Sequence, residues 1–229
     1  MTNNYVYEFG DSLYLNITNR CPNNCEFCIR NIKDGVSGSD LWLLKEPTFE
    51  ELVDDISMYD LSKYKEIVFC GFGEPMCNLS MISQIAPYLK KKGCKIRINT
   101  NGLGNLINKR DDVAKLIAPY IDSVSVSLSA STPEVYQEIC RSKYGEAAFD
   151  AMLKFTKDCV NAGIDTTMSV VDFIGEDEVR ACGELAKSVG AHFKVRETIR
   201  EDTEYSEKTA VAFSVTPVFV FCTSIFRLV

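Results

Sequence analysis

The feature that most constrains this chain is a group of three closely spaced cysteines, Cys21, Cys25 and Cys28. The Pro-Asn-Asn segment at 22–24 favours a loop over a helix, so the three thiols are expected to converge on one point. Soft thiolate ligands select zinc, copper(I) or iron–sulfur clusters. Structural zinc sites and iron–sulfur cubes usually have four protein ligands. Three thiolates therefore leave one metal position open, where a substrate or cofactor can bind.

The overall composition narrows the class of protein. A chain of 229 residues is typical of one domain, with or without an appendage. The net charge of −7 argues against direct nucleic-acid binding, which needs a basic surface. Residues 1–5 lack the basic and apolar regions of a secretory signal. We therefore expect a cytoplasmic protein without membrane attachment, in which most of the ten cysteines are reduced.

The remaining cysteines and the single histidine predict no second metal site. The seven other cysteines stand singly on apolar stretches: Cys70, Cys77, Cys94, Cys140, Cys159, Cys182 and Cys222. Such placement is typical of buried free thiols. His192 is the one histidine, which excludes sites built from several histidines, and it is expected to be structural.

The hydrophobic pattern predicts six strands that alternate with helices. The strands are expected at 13–18, 66–70, 94–100, 123–128, 166–173 and 192–196. The helices are expected at 48–59, 79–92 with a kink at Pro87, 111–120, from 132 onward, 147–162 and 176–189. A Thr48-Phe-Glu-Glu51 capping box begins the first helix, and a Thr132-Pro133 cap begins the fourth. The segment 33–45 is expected to be irregular.

This alternation, at about thirty residues per unit, predicts βαβ units and a parallel sheet. A complete eightfold barrel typically needs about 250 residues. Residues 1–200 fit six units, so the expected fold is α/β, a partial (βα)6 TIM-like barrel with parallel strands. The functional site of such a sheet lies at the carboxyl ends of its strands.

Residues 201–229 are expected to form a C-terminal extension. The segment 210–229 is mostly apolar and rich in β-branched and aromatic residues, so we expect strands that cover the open barrel edge. A membrane anchor is the alternative, although Pro217 and several polar residues interrupt the segment. An anomalous or truncated C-terminus is the third interpretation.

Two motifs carry a resemblance to a known family. Phe27 stands directly before the third cysteine of the C-x3-C-x2-C group, and a Gly71-Phe-Gly-Glu-Pro75 turn follows one strand later. This combination resembles the radical S-adenosylmethionine (SAM) superfamily. The string from Tyr14 to Arg30 is most similar to the TatD-associated radical SAM proteins, and the resemblance covers residues 5–200.

The resemblance implies a cofactor pair and a reaction class. Cys21, Cys25 and Cys28 would hold three irons of a [4Fe-4S] cluster, and SAM would chelate the fourth iron. Reductive cleavage of SAM would give a 5′-deoxyadenosyl radical that abstracts hydrogen from an unidentified substrate, which is a small molecule, a nucleoside or a protein. An electron donor such as flavodoxin or ferredoxin is implied. No catalytic residue beyond the cofactors is identified.

The resemblance also implies SAM contacts. Phe27 would lie near the adenine, while Gly71, Gly73 and Glu74 would receive the methionyl ammonium. Further contacts to ribose, carboxylate or adenine are expected after the third, fourth and fifth strands, at Asn99, Thr100, Asn101, Ser127, Ser129 and Val171. An Asn-Gly turn explains Asn101 equally well, and core packing explains Val171 equally well.

Three charged residues are weaker candidates. Arg141 could pair with the SAM carboxylate, although an exposed arginine at a helix end is the more common case. Asp172 and Arg196 are candidates to face the substrate.

Two other functions remain open at this point. One is a glycyl-radical-type activating enzyme that acts on a partner protein. The other is a non-catalytic zinc or iron–sulfur binding module, which would need a fourth protein ligand. Cys70 and Cys77, near the end of the second strand, are the candidates for that ligand.

Overall fold

A seven-stranded sheet organises the chain in the computed structural model, which describes residues 3–31, 35–36 and 38–197. The strands are β1 Val6–Phe9, β2 Ser12–Leu15, β3 Gly35–Val36, β4 Ser39–Asp40, β5 Ile67–Phe69, β6 Ile96–Thr100, β7 Ser123–Ser127, β8 Asp165–Val171 and β9 His192–Arg196. The large sheet has the order β1-β2-β5-β6-β7-β8-β9, and β3 pairs with β4 in a separate antiparallel ladder. Strand β1 is antiparallel to β2, whereas β2, β5, β6, β7, β8 and β9 are mutually parallel neighbours.

Helices connect the parallel strands. They are α1 Phe49–Ser57, α2 Leu79–Lys91, α3 Gly104–Asn108, α4 Val113–Ile117, α5 Pro133–Cys140, α6 Ala147–Asn161 and α7 Glu176–Ser188. Short 3-10 turns lie at Ile29–Asn31, Leu61–Lys63, Pro75–Asn78 and Asp172–Ile174. The predicted caps are present, since Thr48 forms a capping box with Glu51 and the Thr132 hydroxyl accepts from the amide of Val135. In the part of the chain that the structure describes, no helix has both the length and the apolar character to cross a bilayer.

Six parallel strands therefore follow one another in chain order with helical segments between them. This arrangement confirms the predicted α/β class and the six-unit partial barrel. The sheet ends at β1 and β9 and does not close on itself, which is the open form that the chain length predicted.

Several local features differ from the expectation. Strand β1 was not predicted; it pairs with β2 through the turn at Gly10, whose φ is 60°. Helix α3 was also missed, and part of the segment 33–45 forms β3 and β4 instead of irregular chain. Pro87 lies inside α2, which continues to Lys91. The predicted covering strands within 201–229 lie outside the described residues.

The two faces of the sheet differ in chemistry. The face toward the helices is apolar and belongs to the main core, with Leu13, Leu15, Ile67, Phe69, Ile96, Ile98, Val124, Val126, Met168 and Val170 all buried. Because side chains alternate along a strand, the residues between these point to the other side. Over β6 to β9 that side, here called the polar face, carries Arg97, Asn99, Ser125, Ser127, Thr167, Ser169, Lys194 and Arg196. The aligned positions Asn99, Ser125 and Thr167 show that it continues across neighbouring strands.

A close approach of two turns fixes the residues after β5 against the segment after β2. A Cβ atom on Gly73 would lie 2.2 Å from the carbonyl oxygen of Thr18 and 2.8 Å from that of Arg20. The amide of Glu74 donates to the same Arg20 carbonyl at 2.8 Å. Glycine at position 73 is therefore required by space, and it holds Glu74 beside the start of the cysteine loop.

We predict that Gly73→Ala lowers the free energy of unfolding by about 2–3 kcal/mol, because backbone atoms on both sides cannot yield to the new methyl group. Gly183→Ala is the matched control. That glycine lies inside α7, and its added Cβ would make an ordinary 3.4 Å contact with the Phe193 ring. The free energy of unfolding of this control should increase by about 0.5–1 kcal/mol. Urea denaturation followed by circular dichroism measures both, and equal effects of the two substitutions would contradict the account.

Candidate active site

The cysteine loop is anchored on the end of helix α5. The amide of Asn24 donates to the carbonyl of Cys140 at 3.0 Å, and the amide of Glu26 donates to the carbonyl of Ile139 at 3.0 Å. These two bonds flank Cys25 and use carbonyls that a helix terminus leaves without intrahelical partners. The loop therefore has a defined place between the end of β2 and the end of α5.

The three predicted ligand thiols are partly buried. Burial raises the pKa of Cys21 to about 12 and also raises the pKa of Cys28. The Cys25 thiol forms a hydrogen bond with the thiol of Cys140, which raises the pKa of Cys25 further. All three are therefore protonated near neutral pH, and a bound metal must displace their protons.

The donor set of the cysteine loop suits an iron–sulfur cluster. Among residues 3–31, 35–36 and 38–197, no three Cys, His, Asp or Glu side chains are close enough to hold a metal. The Cys25 thiol also neighbours the thiol of Cys140. Three thiols on one loop remain the soft ligands, in the number, that a cluster with one open iron requires.

Cys140 is the neighbour of the triad that the sequence did not reveal. It lies at the end of α5, where it is buried and hydrogen-bonded to Cys25. Cys70 and Cys77, the expected candidates for a fourth ligand, have other surroundings: Cys70 is hydrogen-bonded to Asn99, and Cys77 belongs to the short turn after Glu74. No spacing rule links position 140 to position 25, since only the packing of α5 brings them together.

Glu74 is the most unusual charged group near the loop. Its side chain is only 4 % exposed, and its carboxylate accepts from the Thr100 hydroxyl at 2.7 Å, the Asn101 amide at 2.7 Å and the Met76 amide at 3.0 Å. No cation forms an ion pair with it among the described residues. Burial raises its pKa to about 7, against the opposing effect of the three hydrogen bonds.

Asn101 joins this carboxylate to the cysteine loop. Its backbone amide donates to Glu74, its Oδ1 accepts from the amide of Leu103 at 3.0 Å, and its Nδ2 lies 4.0 Å from the sulfur of Cys21. An amide N–H near a cluster thiolate is one of the groups that tune such a metal centre. The structure therefore brings together four predicted site residues, Cys21, Glu74, Thr100 and Asn101.

The serines after β7 have two different environments. Ser127 is exposed on the polar face, whereas Ser129 is buried with φ of 66° and forms a hydrogen bond with the Cys140 thiol. Positive φ is uncommon for serine, so the turn after β7 holds it in a sparsely populated conformation. Ser129 therefore contacts the Cys25–Cys140 pair.

Two aromatic residues lie where the adenine of SAM is predicted to bind. The Phe27 ring packs against Phe173 with ring centroids 5.4 Å apart. Phe173 is 45 % exposed and follows Val171, the last residue of β8, by two positions. Both rings are therefore in reach of solvent at the carboxyl end of the sheet.

The remaining candidates are placed as follows. Arg141 is exposed and lies 3.6 Å from Glu26, so it matches the exposed alternative. His192 begins β9 at the edge opposite the cysteine loop, is 79 % exposed in its side chain and lies 3.5 Å from Asp165. Asp172 belongs to the 3-10 turn after β8, and Arg196 ends β9.

A cavity of about 540 Å³ opens beside the cysteine loop. Its lining residues are Arg20, Cys21, Pro22, Cys77, Ile107, Asn108 and Lys143. Cys21 is the one predicted site residue among them, so the hydrogen bonds around Glu74 define the site better than the shape of this cavity.

Known structures share this fold. A Streptococcus suis protein, SuiB, solved with bound SAM, superposes with a TM-score of 0.63 and 16% identity, over 84% of this chain and 41% of that one. The [FeFe]-hydrogenase maturase HydG of Carboxydothermus hydrogenoformans superposes with a TM-score of 0.61 and 20% identity, over 90% of this chain and 48% of that one. A radical SAM methyltransferase of Sphaerobacter thermophilus superposes with a TM-score of 0.60 and 16% identity, over 84% of this chain and 57% of that one. At such identities the likeness concerns the fold.

Matches at the level of sequence identify the family. A Pyrococcus furiosus protein, described as a tungsten-containing aldehyde ferredoxin oxidoreductase cofactor-modifying protein, is 31% identical over 90 residues. That match covers 39% of this chain and 23% of the relative, so the chain spans about a quarter of that protein's length. Residues 15–183 match the model of the radical SAM superfamily, a family that uses a [4Fe-4S] cluster and SAM. The chain therefore belongs to the radical SAM superfamily.

Proposed function

We propose that Cys21, Cys25 and Cys28 hold the [4Fe-4S] cluster of this enzyme and that Glu74 receives the ammonium of SAM beside it. The observation that carries the proposal is the buried Glu74 carboxylate, which has no cation partner among the described residues and is linked through Asn101 to Cys21. When bound there, the cluster and SAM would supply one-electron reductive cleavage of SAM and hydrogen abstraction from the substrate.

The residues around Glu74 keep its carboxylate ready for a cation. Three donors fix its two oxygens, and the surrounding burial excludes water. A carboxylate in this environment is costly to ionise without a positive partner. An incoming ammonium offsets that cost, so binding energy is concentrated at this end of SAM.

Thr100 has a positioning role in this arrangement. Its hydroxyl donates to Glu74 and accepts from the amide of Gly102 at 3.0 Å. Ser127, in contrast, is exposed on the polar face, where it suits a contact to the ribose or the SAM carboxylate. Phe27 and Val171 would bound the adenine, with Phe173 as a further aromatic wall.

The assignment to a subgroup of the superfamily rests on the sequence around the three cysteines. The segment from Tyr14 to Arg30 supports membership of the TatD-associated group, with residues 1–200 as the catalytic core and 201–229 as an extension. A one-electron donor such as flavodoxin or ferredoxin completes the proposed system, and a cytoplasmic location suits its reduced thiols. The substrate is a small molecule, a nucleoside or a protein, the last including the activation of a partner enzyme.

The first test is SAM cleavage by anaerobically reconstituted protein with dithionite. We expect the wild-type protein to release methionine and 5′-deoxyadenosine, and Cys25→Ser to lose at least about 90% of this activity together with bound iron, because a hydroxyl is a poor ligand for the cluster. Cys94→Ser is the matched control, since Cys94 precedes β6 at the opposite end of the sheet. A Cys25→Ser protein that still makes 5′-deoxyadenosine at the wild-type rate would disprove the ligand assignment.

The second test uses the pKa of Glu74. Because burial raises this pKa to about 7, the carboxylate is ionised above pH 7 and becomes protonated below it. We expect the SAM affinity of the wild-type protein, divided by that of Glu74→Gln, to fall about tenfold between pH 8 and pH 6. The ratio cancels the titration of the SAM amine itself, whose pKa is near 8. Calorimetric titration under argon measures it, and a ratio that is constant with pH would rule out Glu74 as the countercharge.

A further inference from the structure

The polar face of the sheet contains an arginine with spare hydrogen-bonding capacity. Arg196 ends β9 and is aligned with Val171 of β8. Its Nη2 donates to the Ser125 hydroxyl at 3.0 Å, which directs the guanidinium across β8 toward β7. Its Nε is buried and has no hydrogen-bond partner among the described residues.

The charge of Arg196 is also uncompensated. Arg97, the other arginine of this face, is paired with Glu66 at 2.8 Å and donates to Asn99 at 2.6 Å. Within residues 3–31, 35–36 and 38–197, Arg196 has no carboxylate at ion-pair distance. A buried N–H without an acceptor is costly, and so is a cation without a partner, so this group suits an anion supplied from outside.

The guanidinium groups of Arg97 and Arg196 both influence the Cys70 thiol. Burial raises the pKa of the Cys70 thiol, while its hydrogen bond to Asn99 and the charges of Arg97 and Arg196 oppose that increase. Arg97 is paired with Glu66, whereas Arg196 contributes a positive charge without a carboxylate partner among the described residues. Ser125, Thr167 and Ser169 lie on the same face and provide hydroxyls instead of competing carboxylates.

We propose that Arg196 anchors an anionic oxygen group, a carboxylate or a phosphate, of the substrate. The Nε edge of a guanidinium binds such groups through two parallel hydrogen bonds, and the bond to Ser125 fixes the plane in which that edge points. The inference rests on the proposed function, because it assigns the substrate class of the same site. The site would then have two charged groups with different ligands: Glu74 would bind a cation and Arg196 would bind an anion.

Equilibrium dialysis of the anaerobically reconstituted, SAM-saturated protein tests this inference. The probes are labelled inorganic phosphate, labelled acetate and, as the neutral control, labelled acetamide. We expect an anion to bind and acetamide not to bind. Phosphate binding alone would assign a phosphorylated substrate, and acetate binding alone would assign a carboxylic acid.

Variants identify the residue responsible. Arg196→Gln should weaken anion binding at least about tenfold, and Arg196→Lys, which keeps the charge without the planar fork, should weaken it less. The matched control is Arg180→Gln, since the Arg180 side chain is 73 % exposed on α7 and should not contribute. Ser125→Ala, which frees the guanidinium plane without changing the charge, should weaken binding less than Arg196→Gln and provides a second variant if the latter does not fold.

Two results would overturn the inference. One is equal anion binding by the wild-type protein and by folded Arg196→Gln, or by Ser125→Ala and Arg196→Lys if the glutamine variant is unfolded. The other is anion binding that occurs only without SAM, which would assign Arg196 to the SAM carboxylate. Both can occur while the wild-type protein still cleaves SAM, so they leave the proposed function intact. Conversely, an Arg196-dependent anion site in a protein that never cleaves SAM would contradict only the proposed function.

Discussion

The burial of the Glu74 carboxylate is the constraint on which the rest of the site depends. Three separate segments meet at this residue: the turn after β5 and the end of β6 at its carboxylate, and the start of the cysteine loop through the bond from the Glu74 amide to the Arg20 carbonyl. Only glycine at position 73 allows that approach. A buried carboxylate that has three donors but no cation partner within the described part of the chain is unfavourable for stability alone. Its presence at this junction is therefore explained best by a positively charged ligand.

The sheet separates stability from function. Its helix side carries the apolar core, and the burial of this core provides most of the folding free energy. Its polar face and the carboxyl ends of its strands carry the groups that a stable fold does not need, including the Nε of Arg196 and the strained serine at 129. Unsatisfied and strained groups of this kind are concentrated where ligands bind.

Contacts with helix α5 hold the cysteine loop in place. The amides of Asn24 and Glu26 donate to the carbonyls of Cys140 and Ile139 at 3.0 Å, and the Cys25 thiol lies beside the Cys140 thiol. These contacts place the backbone of the loop between the end of β2 and the end of α5, so the fold itself brings Cys21, Cys25 and Cys28 to the carboxyl ends of the strands.

Much of this fold could be predicted from local signals. The Thr48 and Thr132 caps, the alternation of strands and helices, and the spacing of the three cysteines each depend on a few neighbouring residues. Strand β1 and helix α3 were missed because a four-residue strand and a five-residue helix carry too little periodicity. Two contacts could not be predicted, that of Cys140 with Cys25 and that of Arg196 with Ser125. They join residues 115 and 71 positions apart, and only helix packing and strand order determine them.

The central claim is that three thiolates leave an iron open to SAM beside Glu74. The most direct test is the EPR spectrum of the reduced, reconstituted protein before and after SAM is added, for the wild-type protein and for Glu74→Gln. The g-values of the wild-type cluster should change when SAM is added, and Glu74→Gln should need a higher SAM concentration for the same change. A cluster signal that SAM leaves unchanged would contradict the account.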